Sequence, residues 1–599
     1  MKNFLKYTLA TIVGVLIVQL FLFFILIGFV GALISFSEKT VTVPKNSILK
    51  IQLNGEIVDR VSEAPWDNID LLSLSPKKML GLNKILSSIQ KAAQDPRIQG
   101  IYLDLTEIQG NYGALAFTQE IRTALQKFKA SGKFIYSYSN LGYSQKSYYL
   151  ATVADKIYVN PQAPLLLTGM SSSISFYKET LAKLGIQPEV VKVGKFKSAV
   201  EPFIADEMSE ANREQVQRYL QSSWNTLLEG ISEERHIPVD SINSITNRFD
   251  FYTPEQFQAL GFFDGVIYED QMLDLLKEKC GIDTTASLPQ VLLTDYQNAI
   301  VPEIPVEFNQ DKIAIVYASG EIGMEQQNNA IGPELATTIR KIREDDAVKA
   351  IVLRVNSPGG SALTSDIIWR EVELATQCKP VIVSMGNVAA SGGYYISCAA
   401  DIIVAEPTTL TGSIGIFGLF FSGEKLITDK IGIHTDVVKT NEHSDFGGSY
   451  PLPIPISSRP LTNYERNVLQ NFVNQGYETF LNRVMAGRGL GHEELNAIAQ
   501  GRVWTGEDAL RIGLVDVLGG LEEAIQIAAQ KAGLEKYERI EYPTVKNPLE
   551  ELLTQFTGEI KTRMLQKELG TFYTTWEQCK QMVNQQGILA RIPYDLTFN

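Results

Sequence analysis

The chain has 599 residues, of which 45% are hydrophobic and 20% are charged, a composition typical of globular rather than disordered proteins. Its formal net charge of −14 argues against a nucleic-acid-binding protein, because a phosphate-binding surface needs an excess of basic residues. Four cysteines without a CxxC spacing and four histidines without an HExxH motif indicate neither a metal centre nor a disulfide framework. We therefore expect no metal and no nucleic-acid partner.

The N-terminal segment is strongly apolar. Residues 7–36 carry no charged side chain, and the run is long enough to span a bilayer as a helix. A cleavable signal peptide has a shorter apolar core and a small-residue cleavage site, so a retained anchor over 1–40 is favoured over a removed signal. Lys2 and Lys6 favour a cytoplasmic N-terminus, although Lys39 weakens this bias. The rest of the chain would then face the outside of the membrane.

Two stretches of the chain repeat one pattern of strands and helices. The apolar strand at 101–105 is matched at 351–355, an offset of 351 − 101 = 250, and Tyr148 is matched by Tyr394, an offset of 394 − 148 = 246. Short apolar runs alternate with helical patterns in both stretches, which predicts a parallel α/β architecture in each. The predicted units are a first repeat over 41–270, a connector over 271–311, a second repeat over 312–535 and a tail over 536–599.

The two repeats differ at positions that matter chemically. The second repeat has Ser391 just before Gly392, where the first repeat has Gln145. In a later motif, aligned through a glycine and the strand expected after it, the first repeat has Lys197 where the second has Ser444. A serine and a lysine together make a complete nucleophile and base. Because one comes from each repeat, neither repeat alone can hold a working site, and the site is predicted at their junction.

Glycine-rich turns accompany the serine. The run 354–360 ends in Gly359 and Gly360 and leads from a strand into a helix, so its backbone N–H groups suit an oxyanion. One strand later, the N–H of Gly392 can face the same point as the Ser391 hydroxyl. An ordinary βα turn is the alternative for either segment alone. Together, a nucleophile and two donors give the geometry that acyl transfer requires.

The serine also needs a residue that accepts its proton, and Lys197 is the favoured candidate. A lysine acts as a base only when burial or a neighbouring positive charge lowers its pKa. Lys192 and Lys195 lie nearby, and Lys195 shares a face with Lys197 if the segment is a strand. Two alternatives stay open: Lys197 is a solvated surface residue, or His443 completes a Ser-His-Asp set.

Five motifs resemble the signal peptide peptidase A family in its long, tandem-domain form: residues 196–203, 354–360, 389–395, 410–418 and 501–509. The resemblance implies two tandem crotonase/Clp-like α/β repeats and a serine protease that works without metal, ATP or another cofactor. It also implies a homotetramer in the bacterial cytoplasmic membrane, with its catalytic body on the extracytoplasmic (periplasmic) side. The implied substrates are the signal peptides that remain after secretory precursors are cleaved. By motif, the implied roles are Ser391 as nucleophile, Lys197 as general base, Ser413 as the hydroxyl that orients the lysine amine, and Gly359, Gly360 and Gly392 as oxyanion donors.

Two other classes of protein fit parts of the pattern. A crotonase-like acyl-CoA hydratase or isomerase has a similar backbone oxyanion hole but uses catalytic carboxylates, and no acidic residue occupies the Ser391 turn. A catalytically inactive membrane scaffold is the other alternative, since the repeat with Gln145 shows that the serine can be lost. Labelling of Ser391 by a fluorophosphonate would distinguish a hydrolase from both.

Overall fold

The structure is a computed structural model. It describes residues 14–15, 17–21, 41–61, 69–70, 75–76, 78–106, 115–249, 252–301, 311–324, 330–448, 456–543 and 587–591. Apart from 14–15 and 17–21, the predicted anchor at 7–36 lies outside the described residues, as does most of the predicted tail. Within the described ranges, no helix is both long and apolar enough to cross a membrane.

Two sheets of mainly parallel strands, with the same order of their shared strands, form the frame of the molecule. In the first, Ser47–Ile51 lies between Ile98–Asp104 and Gln290–Leu292, and in the second, Lys312–Ser319 lies between Val348–Ser357 and Glu538–Tyr542. This shared order confirms the mixed α/β prediction. The first sheet contains Gly265–Val266, Lys156–Val159, Phe134–Ser139, Ile98–Asp104, Ser47–Ile51 and Gln290–Leu292 in spatial order. The second contains Val517–Leu518, Ile402–Ala405, Val381–Ala390, Val348–Ser357, Lys312–Ser319 and Glu538–Tyr542, with Leu410–Gly412 and Val503–Thr505 added beside Val381–Ala390.

The last strand of each sheet comes from a segment that the sequence did not mark as a strand. Gln290–Leu292, within the expected connector 271–311, pairs in parallel with the first strand of its sheet. Glu538–Tyr542, at the start of the expected tail, does the same in the second sheet. Both strands are short edge strands with several polar or exposed residues, so the alternation that identifies a strand is weak in them.

Each repeat contains one helix of 26 residues. Each long helix, Glu210–Arg235 and Asn463–Arg488, begins with a hydroxyl, of Ser209 and Thr462 respectively, that accepts a hydrogen bond from a backbone N–H of the first turn. Up to residue 301 the others are Leu82–Gln94, Leu115–Lys129, Gln145–Ala151, Lys178–Leu184, Glu201–Ile204, Val239–Arg248, Pro254–Ala259, Glu269–Lys279 and Leu293–Tyr296. From residue 311 they are Glu334–Glu344, Ala362–Thr376, Gly392–Ser397, the π-helical turn Leu426–Ile431, His492–Ile498, Gly506–Arg511 and Leu521–Lys531.

A third sheet joins the two repeats. Gln187–Lys192 of the first repeat pairs antiparallel with Phe417–Ser422 of the second over six residue pairs. This pairing fixes the segment that carries Lys197 against the second repeat. The third sheet continues through Gly587–Arg591, Gly359–Ser361, Glu321–Ile322 and Ala330–Ile331. Smaller strand pairs are Glu56–Val58 with Met79–Gly81, Ile69–Asp70 with Ser75–Pro76, and Tyr143–Ser144 with Leu165–Leu166.

A buried ion cluster also crosses the junction between the repeats. The guanidinium of Arg354 is fully buried and contacts Asp59 Oδ1 at 2.7 Å and Glu120 Oε1 at 2.5 Å, both from the first repeat. Burial, together with the nearby Glu120 carboxylate, raises the pKa of Glu406 to about 8. Glu406 is therefore more readily protonated than an ordinary glutamate, which limits the negative charge beside the cluster.

Candidate active site

The side chains of Ser391 and Lys197 meet at the junction of the two repeats. Lys197 Nζ lies 2.8 Å from Ser391 Oγ, and both residues are fully buried. Burial lowers the pKa of Lys197 well below the usual lysine value, because a charged amine loses its hydration there. The lowered pKa favours the neutral amine, the form that can accept a proton from the serine hydroxyl.

The backbone of Ser391 adopts a conformation that is rare for a residue other than glycine. Its φ is 57°, at the turn between the strand Val381–Ala390 and the helix Gly392–Ser397. Two hydrogen bonds hold this turn: the Ser391 N–H donates to Gly412 O at 2.8 Å, and the Tyr395 N–H donates to Ser391 O at 2.8 Å. Local strain of this kind is concentrated at functional sites, where the surrounding structure maintains it.

In the first repeat, the turn that corresponds to the Ser391 turn holds the side chain of Gln145, which is hydrogen-bonded to the backbone. Gln145 starts the helix Gln145–Ala151, which the Ser144 hydroxyl caps in the ordinary way. The Gln145 amide donates to Gly169 O at 2.9 Å and accepts from the Thr168 N–H at 3.2 Å. This turn therefore has an internally bonded amide in place of a nucleophile.

Lys197 lies in a loop, not on a strand. The strand Gln187–Lys192 ends before Gly194, whose φ of 100° turns the chain. Lys195 is consequently exposed, rather than on a shared strand face with Lys197 as the sequence suggested. Lys192 Nζ approaches the backbone oxygen of Lys197 at 3.4 Å, so its contact is with the main chain of the loop. Burial is the cause of the lowered pKa of Lys197.

A glutamine that the sequence analysis did not single out holds this loop. Gln215 Nε2 donates to Phe196 O at 3.1 Å and to Ser198 Oγ at 2.9 Å, one residue on either side of Lys197. Its Oε1 accepts from the Val503 N–H at 3.1 Å, so the same side chain also binds the second repeat. A glutamine inside a long helix carries no distinctive local pattern, and only the fold shows what it contacts.

Gly501 explains why the motif at 501–509 belongs to the site. Its φ is 77°, and a Cβ added there would lie 2.7–2.8 Å from the backbone N, Cα and Cβ of Lys197. The neighbouring Gln500 carbonyl accepts a hydrogen bond from the Phe196 N–H at 3.0 Å. Glycine is required because the two chains approach too closely for any side chain.

Ser413 is the second hydroxyl at the lysine amine. Lys197 Nζ lies 3.0 Å from Ser413 Oγ and 3.1 Å from Ser413 O. The Ser413 hydroxyl donates to Gly501 O at 3.3 Å, which leaves its lone pairs directed toward the amine. Like Ser391, Ser413 has a positive φ, of 50°. This arrangement can orient the amine toward Ser391.

The predicted oxyanion glycines come together through their backbones. Gly359 has a φ of 100°, and a Cβ added there would lie only 2.7 Å from the Gly392 nitrogen. The Gly359 N–H donates to Ser357 Oγ at 3.2 Å. Gly360 lies against Ile322, whose carbonyl oxygen would be 2.1 Å from an added Cβ. The absence of side chains therefore lets these two turns approach each other beside Ser391.

Two residues considered in the sequence analysis lie in other surroundings. His443 Nδ1 is 2.9 Å from Glu465 Oε1, and its ring stacks on Tyr464. Ser444 is exposed, and its hydroxyl donates to Asn441 O; residues 432–448 form no strand, contrary to the alignment that paired Ser444 with Lys197. Among the residues that the structure describes, no group of three or more His, Cys, Asp or Glu could hold a metal ion.

A family model and several curated relatives resemble this chain. The family model for Peptidase family S49 matches residues 127–283 and 373–535, one match in each repeat. "Protease 4" of Haemophilus influenzae is 36% identical over 84% of this chain and 83% of its own length. "Protease 4" of Salmonella typhi is 34% identical over 94% and 91%, and "Serine protease SPPA, chloroplastic" of Arabidopsis thaliana is 33% identical over 84% and 72%. Since both repeats match the family and these relatives match along most of their length, the chain belongs to peptidase family S49 and is a serine peptidase.

Proposed function

We propose that this serine peptidase uses Ser391 as nucleophile and Lys197 as general base to degrade signal peptides released from secretory precursors. The observation that carries the proposal is the 2.8 Å contact between two fully buried side chains, Lys197 Nζ and Ser391 Oγ. The resemblance of the motifs to the signal peptide peptidase A family supports the choice of substrate. A tether at the membrane would place the site close to peptides that remain in the bilayer.

The geometry supports an acyl-enzyme route. The Ser391 oxygen attacks the peptide carbonyl carbon while its proton passes to Lys197 Nζ. The developing oxyanion is held at the turn formed by Gly359, Gly360 and Gly392. Lys197 then returns the proton to the leaving amine, and water hydrolyses the ester on Ser391 with the same lysine as base.

Labelling by a fluorophosphonate tests this assignment directly. The probe reacts with an activated serine, so we expect one stoichiometric adduct on Ser391, located by peptide mass spectrometry. Ser391→Ala should abolish the adduct. Ser88 is another buried serine, in the helix Leu82–Gln94, and Ser88→Ala serves as a matched control that should keep the adduct on Ser391. An adduct on another serine, or none in a protein that cleaves peptides, would contradict the assignment.

Ser413→Ala is expected to lower kcat/KM by roughly 10- to 100-fold without abolishing turnover, because the amine loses its orientation but remains present. The lost hydroxyl is also an acceptor for the protonated amine, so the pKa of Lys197 should fall further. The acidic limb of the pH–rate profile should therefore move to lower pH. Ser88→Ala should leave rate and profile unchanged; an unaltered profile in Ser413→Ala would remove the orienting role.

We also propose a single-pass anchor at residues 7–36, with the catalytic body on the extracytoplasmic side of a bacterial cytoplasmic membrane. The uncharged run and the preceding lysines support this topology. The exposed thiol of Cys378 allows a test with a membrane-impermeant maleimide in intact cells. We expect labelling that Cys378→Ser removes. Labelling of Cys378 only after lysis would place the body in the cytoplasm.

Assembly as a homotetramer of chains with two crotonase/Clp-like repeats, over 41–270 and 312–535, completes the proposal. An exposed apolar stripe on one face of the helix Asn463–Arg488 supports this assembly. The stripe consists of Tyr464, Val468 and Phe472, which are spaced four residues apart. Light scattering of the detergent-solubilised chain measures the mass of the assembly. A monomeric mass would contradict the tetramer.

A further inference from the structure

The surroundings of the Lys197 side chain include two glycines. A Cβ added to Gly415 would lie 3.4 Å from Lys197 Cδ, and one added to Gly501 would lie 2.7–2.8 Å from the backbone N, Cα and Cβ of Lys197. These glycines allow the close approach, but they supply no side chain that could keep water from the amine. Exclusion of water on this side of the lysine therefore depends on residues beyond the glycines.

Three side chains next to these segments form a layered group, here called the Arg502 stack: Phe196, Arg502 and Trp504. The Arg502 guanidinium carbon lies over the Phe196 ring, 4.6 Å from its centroid, and over the Trp504 ring, 4.4 Å from its centroid. Contacts between a cation and an aromatic ring are favourable at these distances. Phe196 is buried, whereas the Arg502 side chain is 19% exposed. The stack therefore reaches from the lysine segment toward the protein surface.

The stack is attached to both segments that contact the lysine amine. Phe196 directly precedes the lysine in the chain. The backbone oxygen of Arg502 accepts a hydrogen bond from the Ser413 N–H at 2.7 Å. A Cβ added to Gly412, the residue before Ser413, would lie 2.9 Å from Trp504 Cδ1. A change in the stack is thus transmitted to the base and to the hydroxyl that contacts it.

An ion pair between the repeats holds Arg502 in place. Its Nη2 lies 2.9 Å from Glu214 Oε1, on the helix Glu210–Arg235 of the first repeat. Gln215, the next residue of that helix, donates to Phe196 O at 3.1 Å. The stack therefore forms only when the two repeats are docked against each other.

The charged groups near Lys197 leave burial as the main influence on its amine. Lys192 Nζ approaches the Lys197 backbone oxygen at 3.4 Å, Lys195 is exposed to solvent, and the charge of Arg502 is balanced by its carboxylate partner. Burial is the cause that lowers the pKa of Lys197. Residues that control the access of water thus control the protonation of the base.

We propose that the Arg502 stack is the barrier that keeps water from the Lys197 amine, with Arg502 as a positioning residue for the reaction. The proposal depends on the role proposed above for Lys197 as general base. With the stack in place, the uncharged amine is the favoured form, and water does not compete for its hydrogen bond to Ser391. Without the stack, water reaches the amine past the glycines, the charged form is favoured, and the base is available only at higher pH.

The pH–rate profile of Arg502→Ala, measured as kcat/KM for a fluorogenic peptide, tests the barrier. We expect the acidic limb to move to higher pH by about one unit or more, because hydration raises the pKa of the lysine. Above the shifted limb, the rate should approach that of the wild type. Trp504→Leu should move the limb in the same direction, and Trp504→Phe, which keeps an aromatic face, should not. A merely structural role would lower the rate at every pH and leave the limb in place.

Chemical labelling measures access to the amine without turnover. Acetic anhydride acylates neutral, accessible amines, and peptide mass spectrometry gives the extent of acylation at each lysine. At a pH above the shifted limb, we expect Lys197 to be protected in the wild type and acylated in Arg502→Ala. The exposed Lys195 should be acylated equally in both proteins and serves as the internal reference.

Arg218→Ala is the matched control. Arg218 lies on the same helix as Glu214 and pairs with Asp508 of the second repeat at 2.6 Å, so its loss also removes an ion pair between the repeats. Because Arg218 lies outside the stack, the pH–rate profile and the protection of Lys197 should not change in this variant.

Arg502→Lys separates the charge of Arg502 from its flat shape. The ammonium keeps a positive charge opposite Glu214 but lacks the planar guanidinium that lies over the rings. We therefore expect the acidic limb of Arg502→Lys to stay shifted to higher pH. A limb at the wild-type position in this variant would assign the effect to charge and overturn the barrier.

The remaining outcomes are equally decisive. An unmoved limb in Arg502→Ala, a Lys197 that stays protected there, or an equal shift in Arg218→Ala overturns the barrier. If Arg502→Ala does not fold, Arg502→Lys and Trp504→Leu decide by the same criteria. Each of these results leaves the proposed function standing as long as Lys197→Met is inactive. An active Lys197→Met removes the base, and the barrier with it.

Discussion

Replacing Lys197 by methionine is expected to lower kcat/KM for peptide hydrolysis by roughly 10⁴- to 10⁶-fold, the loss seen when one member of a nucleophile–base unit is removed. The substitution keeps most of the buried aliphatic stem and removes only the amine that lies 2.8 Å from Ser391 Oγ. The thermal midpoint should not fall, because a buried amine stabilises the fold poorly. Steady-state kinetics and thermal denaturation check the two expectations.

Lys195→Met is the matched control for this experiment. It is the same substitution two residues away, at an exposed side chain, and should leave kcat/KM unchanged. In the wild type, the rate should fall as the pH drops through the pKa of Lys197, since a protonated amine cannot accept the serine proton. Activity of Lys197→Met within tenfold of the wild type would exclude Lys197 as the base.

Arg354→Met is expected to destabilise the protein by about 3–5 kcal/mol, the cost of removing one partner from a buried ion pair. The fully buried guanidinium contacts both Asp59 and Glu120, so its loss leaves two carboxylates without a cation in the junction between the repeats. The loss of stability in Arg354→Met should be smaller at acid pH, because protonated carboxyl groups are less costly to bury. Urea denaturation followed by circular dichroism, at neutral and acid pH, measures both effects.

Arg340→Met provides the matched control for the buried cluster. Arg340 contacts Glu371 at 2.5 Å, but its side chain is 55% exposed and Arg343 also lies 3.5 Å from Glu371. Arg340→Met is expected to lower the free energy of unfolding by less than about 1 kcal/mol, as for other exposed ion pairs. Equal losses in Arg354→Met and Arg340→Met would show that the buried cluster does not hold the repeats together.

Comparison of the repeats within the sequence predicted the pairing of Ser391 with Lys197, although 194 residues separate them. The signal was reciprocal: Gln145 replaces the serine in one repeat, and the lysine motif is absent from the other. Part of that reasoning was wrong, because the strand expected to carry Ser444 does not form. The contact between Lys197 and Ser391 in the folded chain does not depend on that strand.

The local surroundings of the lysine could not be predicted in the same way. In a strand, Lys195 and Lys197 would share a face, whereas Gly194 turns the chain so that Lys197 is buried and Lys195 is exposed. Gln215 holds the loop from a helix that begins later in the chain, through contacts with both repeats. Such contacts join segments that are distant in sequence, and residue periodicity records only the face that a segment buries.

The two-repeat α/β architecture and the residue types available for catalysis can be predicted from the order of residues alone, because hydrophobic periodicity and repetition are local properties of the chain. The burial of Lys197 against Ser391, the positive φ of Ser391 and the pairing of Gly587–Arg591 with Gly359–Ser361 are visible only in the folded chain. Burial, strain and strand pairing between distant segments depend on what the rest of the fold places around each residue.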